Sequence, residues 1–163
     1  MANRLYGLTF EELPDAPKYH PDVKVYDVKD EKGEHLAVFM TDYFTRPEKR
    51  QGAWMEELKT SWINADGSVE RPIIYNVGNF APPTADAPAL LSIDDVQTMF
   101  HEFGHALHGM LSRARLKSQS GTSVDRDFVE FPSQFHEHWA FNPEMLNVYA
   151  HHYKTGKLIP DSL

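Results

Sequence analysis

The sequence predicts an α+β fold, mainly helical, in which a small N-terminal β-hairpin or sheet supports two helices that carry the chemistry. Three observations lead there. Residues 23–28 and 35–43 are apolar or alternating over strand lengths. Residues 93–112 repeat apolar side chains every three or four positions. A third segment opens at Glu130 and resumes that helical spacing after a stretch rich in Ser, Gly and Thr. All 163 residues read as one unit, with a β-rich lead-in over 1–90 and a helical segment over 91–163.

Residues 1–22 form a polar lead-in. Leu5, Leu8 and Phe10 are its candidate anchors, and Pro14, Pro17 and Pro21 break any helix. VKVYDV, from Val23 to Val28, alternates as a half-buried strand does. Asp30-Glu31-Lys32-Gly33 supplies a turn, and His35 to Tyr43 is apolar enough to lie centrally, which completes a hairpin. Arg46 to Gly52 is a basic loop, read as solvated charge rather than as a substrate contact. Ala53 to Trp62 (AWMEELKTSW) has the spacing of a short helix, and Ala65 to Ser68 that of a turn. Pro72 to Phe80 reads as an extended strand, followed by a Pro- and Ala-rich linker to Pro88.

The helix over 93–112 is marked at both ends. Ser92 is its N-cap, Asp94 and Asp95 place acids in the first turn, and Arg113 and Arg115 lie at the C-terminal end. The second helix runs through Phe131, Phe135 and Trp139, with Pro132 near its start, where a missing N–H costs little. A third, short helix spans Pro143 to Tyr153, and Pro160-Asp161-Ser162 opens a further element.

His101-Glu102-Phe103-Gly104-His105 fits H-E-x-x-H. On a helix, residues four apart differ by about 40° in azimuth and roughly 6 Å in height, so both imidazoles leave one face and can converge on one ion. Glu102 points about 100° away from His101, within reach of a water on that ion without ligating it. Two neutral imidazoles, a carboxylate and a water make the ligand set of a hydrolytic zinc site. In that reading zinc lowers the pKa of the water, and Glu102 takes its proton as it attacks a carbonyl.

Two residues compete to be the third ligand. His108 shares the azimuth of His101 but lies about 10 Å along the axis, too far for one tetrahedral ion. Glu130 comes 25 residues after His105, across the flexible stretch from Ser118 to Ser123 that lets the chain fold back. The expectation favours Glu130, with His108 as the alternative. Asp127, Asp95 and Glu137, and also Asp94, are candidates to hydrogen-bond the outer nitrogen of a metal-bound histidine. His136, His138, His151 and His152 follow no pattern and read as surface residues.

HEFGHALHGM followed by SGTSVDRDFVEFPSQFHEHW resembles the thimet oligopeptidase (M3) family of zinc metallopeptidases. That family pairs HEFGH with a downstream GT....DFVE.PSQ..E.W block, matched here by Gly121, Thr122, Asp127 to Glu130, Pro132 to Gln134, Glu137 and Trp139. The likeness extends through Leu5 to Phe10, Tyr19 to Val28, Asp42 to Trp54 and Pro88 to Val96, and leans to the bacterial peptidyl-dipeptidases. The resemblance implies a zincin-like core and one Zn2+ per chain on His101, His105 and Glu130, with Glu102 as the catalytic carboxylate. It implies hydrolysis of short peptides with release of C-terminal dipeptides. The alternatives are an endo-acting oligopeptidase and a truncated metal-binding module with little turnover. Members of the family are several times longer and enclose the zinc in a channel between two largely helical halves. The chain is therefore expected to be a partial catalytic domain whose partner is the missing remainder, and to be at best a poor peptidase alone.

Composition narrows the alternatives. A formal net charge of −8 without a Lys/Arg run argues against nucleic-acid or anionic-membrane binding. The chain has no cysteine, hence no disulfide framework, and no run of about 18 apolar residues. MANRLYGLTFEEL lacks the apolar centre of a signal peptide, so the expected compartment is the cytoplasm.

Overall fold

β2 (Lys24–Lys29), partly buried, and β3 (His35–Phe44), buried over most of its length, build the centre of a five-stranded sheet. The computed structural model describes residues 1–160; Asp161 and Ser162, where a further element was expected, lie outside them. The two strands pair antiparallel across the anticipated turn, with Tyr26 opposite Phe39. β7 (Ile73–Phe80) lies beside β3 in parallel. β4 (Trp54–Lys59) pairs antiparallel with the far side of β7 and forms one edge. β1 (Thr9–Glu12) forms the other, giving the order β1-β2-β3-β7-β4. A separate two-stranded hairpin, β5 (Trp62–Ile63) and β6 (Val69–Glu70), interrupts the path from β4 to β7.

Several expectations need correction here. The segment 53–62 is strand, not helix: Met55, Glu57 and Lys59 belong to an edge strand zipped onto β7. The lead-in is not wholly irregular, because α1 (Ala2–Tyr6) and β1 fall within it. Leu8 does anchor it in the core, whereas Leu5 remains exposed. The fold is α+β but not mainly helical, since strands and helices occupy comparable lengths. The basic loop is not solvated charge either. Arg46 grips the buried Asp42 through both carboxylate oxygens at 2.7 and 2.8 Å. Lys49, whose side chain is 4% exposed, adds a contact at 2.9 Å and donates to the Asp42 and Phe44 carbonyls. With Tyr19 donating from the other side at 2.8 Å, the cluster ties the loop to the end of β3.

α2 (Ile93–Met110) lies across this sheet, touching β7, β4 and β3. Its start is fixed by a reciprocal capping box: the Ser92 hydroxyl accepts from Asp95 N–H, and the Asp95 carboxylate accepts from Ser92 N–H. Ala106, Leu107 and Met110 press into a core made by Leu8, Val28, Ala37, Phe39 and Ile74, with Phe103 packed against it. Burying Leu107 and Met110 stabilises the fold by roughly 1.5–3 kcal/mol each. At about 100° per residue, His101 and His105 leave the side of α2 opposite Phe103 and Met110, away from the sheet.

α3 (Glu130–Ala140) packs on α2, and α4 (Pro143–Tyr149), capped by Asn142 and shorter than expected, follows it. The inner side of α3 is Ser133, His136 and Ala140. His136 is thus not a surface residue; it is 4% exposed, with Nδ1 against the Pro132 carbonyl and Nε2 at 2.9 Å from the Tyr6 hydroxyl. Phe131 and Phe135, the residues that set the expected helical spacing, are exposed. No helix among the described residues is long and apolar enough to cross a membrane.

Candidate metal centre

The two helices meet closely where Gly104 faces α3. A β-carbon there would lie 2.7 Å from Ser133 Cα and 2.8 Å from the Pro132 carbonyl oxygen, so only glycine allows this approach. One turn from that crossing, the first residue of α3 delivers its carboxylate to the two histidines of α2. Glu130 Oε2 is 3.2 Å from His101 Nε2 and 3.1 Å from His105 Nε2. One donor atom from each of the three residues lies within 4.8 Å of the others.

These donors suit a small divalent ion. A tetrahedron with bonds of about 2.0–2.1 Å has edges of roughly 3.3 Å, close to the two N···O separations. The outer nitrogen of His101 is already engaged, with Nδ1 at 2.6 Å from Glu137 Oε1. Protonated there, the ring turns the lone pair of Nε2 toward Glu130. Gln97 donates to the other Glu137 oxygen at 2.7 Å and so orients the carboxylate. Burial opposes ionisation of Glu137, but the hydrogen bonds from His101 and Gln97 hold it below the usual carboxylate range. Burial also lowers the pKa of His105, favouring the neutral imidazole that a metal requires. Glu130 is held low by its hydrogen bond from Ser133 (2.8 Å) and by the neighbouring histidines.

Glu102 sits beside the cluster, 8% exposed, and its buried Oε2 has no hydrogen-bond partner among the described residues. Burial, reinforced by the charge of Glu130, raises its pKa. Ala53, just before β4, and Trp54 and Met55 of its edge join His101, Glu102, His105, Thr122, Val129 and Glu130 around a cleft of about 460 Å³.

The other candidates fall elsewhere. His108 is not among the clustered donor atoms; its ring lies edge-on to Phe128 at 6.3 Å, and its Nδ1 is buried. Asp95 is committed to the cap of α2, and Asp127 is exposed with no side-chain hydrogen bond among the described residues. Reasoning from sequence missed Gln97, although it lies four residues before His101 on the same helix face. It also missed Ser133, three residues after Glu130, and the whole β4 edge.

The Peptidase family M3 model matches residues 1–163. The chain belongs to peptidase family M3. It is 50% identical over 163 residues to "Dipeptidyl carboxypeptidase" of Escherichia coli, an alignment covering 99% of this chain and 23% of that protein. "Oligopeptidase A" of the same organism is 43% identical over 164 residues, covering 100% of this chain and 24% of the relative. "Thimet-like oligopeptidase" of Dictyostelium discoideum is 39% identical, covering 98% and 24%. The chain thus spans about a quarter of the length of these curated relatives.

Proposed function

We propose that the chain carries the zinc site of a peptidase that cleaves short peptides, with release of C-terminal dipeptides as its mode. The observation that carries this reading is the convergence of His101 Nε2, His105 Nε2 and Glu130 Oε2 beside Glu102, whose buried Oε2 has no hydrogen-bond partner among the described residues. His101, His105 and Glu130 would hold zinc, which supplies Lewis acidity for activating water and polarising a carbonyl. Residues 91–163 carry the ligands and 1–90 the supporting sheet, as part of a longer catalytic domain.

Glu102 acts as general base toward the attacking water and then donates the proton to the leaving amine. Its burial favours holding that proton between the two steps. Glu137 keeps the His101 ring in one tautomer. β4 is an edge strand of the sheet and lines the cleft beside Glu102, so an extended peptide can lie along it as an added strand. That geometry suits unfolded, short substrates.

Dipeptide release is supported by the 50% identity to "Dipeptidyl carboxypeptidase". An endo-acting mode is the second reading, supported by the 43% identity to "Oligopeptidase A". Product masses from a blocked oligopeptide distinguish the two, since successive C-terminal dipeptides differ from internal fragments. The catalytic assignment is tested by Glu102→Gln in a full-length enzyme carrying this segment. Zinc stoichiometry should persist while kcat falls roughly 100- to 10,000-fold. A variant that keeps near-normal kcat would require another base.

A further inference from the structure

The return segment between α2 and α3, residues 111–129, contains a single 3-10 turn at Lys117–Gln119. It nevertheless delivers Glu130 to within 3.1–3.2 Å of two histidines on another helix. Something must hold it. Its backbone bonds to α2 and α3 are confined to its two ends, as from Leu111 N–H to the Leu107 carbonyl, and the others, such as Val129 N–H to the Asp125 carbonyl, shape its own turns. At the end of α2, the Ser112 hydroxyl accepts from Gly121 N–H at 2.9 Å and lies 3.2 Å from the Ser120 hydroxyl. Lys117 rests over the Trp62 ring at 3.6 Å.

The attachment to the sheet is Glu57. Its Oε1 accepts from Thr122 N–H at 3.2 Å and faces the Thr122 hydroxyl at 3.5 Å. Among the described residues, no other side chain of the five-stranded sheet hydrogen-bonds to residues 113–129. The carboxylate fills a slot left by two glycines. A β-carbon on Gly121, whose φ is +54°, would overlap it, and one on Gly109 of α2 would come within 3.2 Å of Oε1. Glu57 is therefore wedged between the metal-bearing helix and the return segment, two residues along β4 from Met55, which lines the cleft.

We propose that Glu57 is a positioning residue for the metal centre: by pinning Gly121-Thr122 to β4, it sets where the return segment places Glu130. This rests on the reading of His101, His105 and Glu130 as metal ligands. Its burial, which raises the carboxyl pKa, agrees with a group enclosed between elements rather than solvated. The same strand then does two things, lining the substrate cleft with Trp54 and Met55 and fixing the third ligand through Glu57.

Zinc titration of the chain in a double-mutant cycle tests this. Glu57→Ala should raise the zinc Kd about tenfold, the scale on which partners outside the ligand set act. In a Glu130→Ala background, Glu57→Ala should then have no further effect, because the pin acts through Glu130. Glu57→Gln keeps the acceptor for Thr122 and should stay within about threefold of the parent, as should the exposed neighbour Glu56→Ala. If Glu57→Ala does not fold, Glu57→Asp withdraws the acceptor by one methylene and is read by the same criteria. An unchanged Kd, or equal weakening with and without Glu130, overturns the proposal, since the latter marks general loosening of α2 on the sheet. A parent chain that binds no zinc would instead overturn the ligand reading, and this inference with it.

Discussion

Replacing Gly104 with alanine probes the contact that brings the two halves of the site together. The new β-carbon would stand 2.7 Å from Ser133 Cα, 2.8 Å from the Pro132 carbonyl oxygen and 3.1 Å from His136 Cβ. Two of these are backbone atoms, which no rotamer change can move. Reaching ordinary contact requires α2 and α3 to part by about 0.7 Å. Overpacking of this kind costs about 1–3 kcal/mol, and rigid neighbours favour the upper half. Alanine regains about 1 kcal/mol of helix propensity, leaving a net loss of about 1–2 kcal/mol. The metal centre should suffer in a separate way. Ligand distances tolerate about 0.2 Å, and Glu130 begins the helix that is pushed away. Zinc affinity should fall at least tenfold, or about 1.4 kcal/mol. Urea unfolding with an unchanged m-value measures the first effect, and zinc titration the second. A Gly104→Ala chain as stable as its parent and with equal zinc affinity would refute the close helix crossing as the basis of the site.

Further outcomes follow from the other clusters. Arg46 and Lys49 hold the Asp42 carboxyl well below the usual range despite its burial. Because the folded pKa is depressed, the stability it contributes is complete above the unfolded value near pH 4 and is lost as pH falls further. Asp42→Asn should destabilise by about 3–5 kcal/mol at pH 7, by leaving buried cations uncompensated, and the gap should narrow in acid; a gap constant from pH 7 to 2 would contradict the clamp. Glu137→Ala should raise the zinc Kd about 10- to 100-fold, and Glu137→Gln less, because the amide oxygen still accepts from His101 Nδ1. Equal affinity in all three chains would remove Glu137 from the site.

What the sequence revealed depended on whether local pattern and tertiary context agreed. The helix α2 was legible because its cap, its apolar spacing and H-E-x-x-H all point one way. The hairpin of β2 and β3 was legible from alternation and from Gly33 in its turn. β4 was misread because Met, Glu, Leu and Lys favour helix, and an edge strand gains its order from pairing with β7, which no local window contains. α3 was placed correctly, but its buried side was not legible. Ser133, His136 and Ala140 face α2 through hydrogen bonds and small size, while the more hydrophobic Phe131 and Phe135 face outward. Hydropathy is therefore no guide to the buried side of this helix, and His136 looked like a surface residue. The candidate donors His101, His105 and Glu130 were named from spacing and resemblance together. Glu57 and Ser133 were not, because their roles depend on contacts across the fold rather than on a motif.

The central claim is tested most directly by a zinc-loaded crystal structure of the chain. The account predicts one ion bonded to His101 Nε2, His105 Nε2 and a Glu130 oxygen at about 2.0–2.2 Å, with Glu102 beside it and unbonded. An ion held by His108 with Glu130 turned away, or one ligated directly by Glu102, would contradict it.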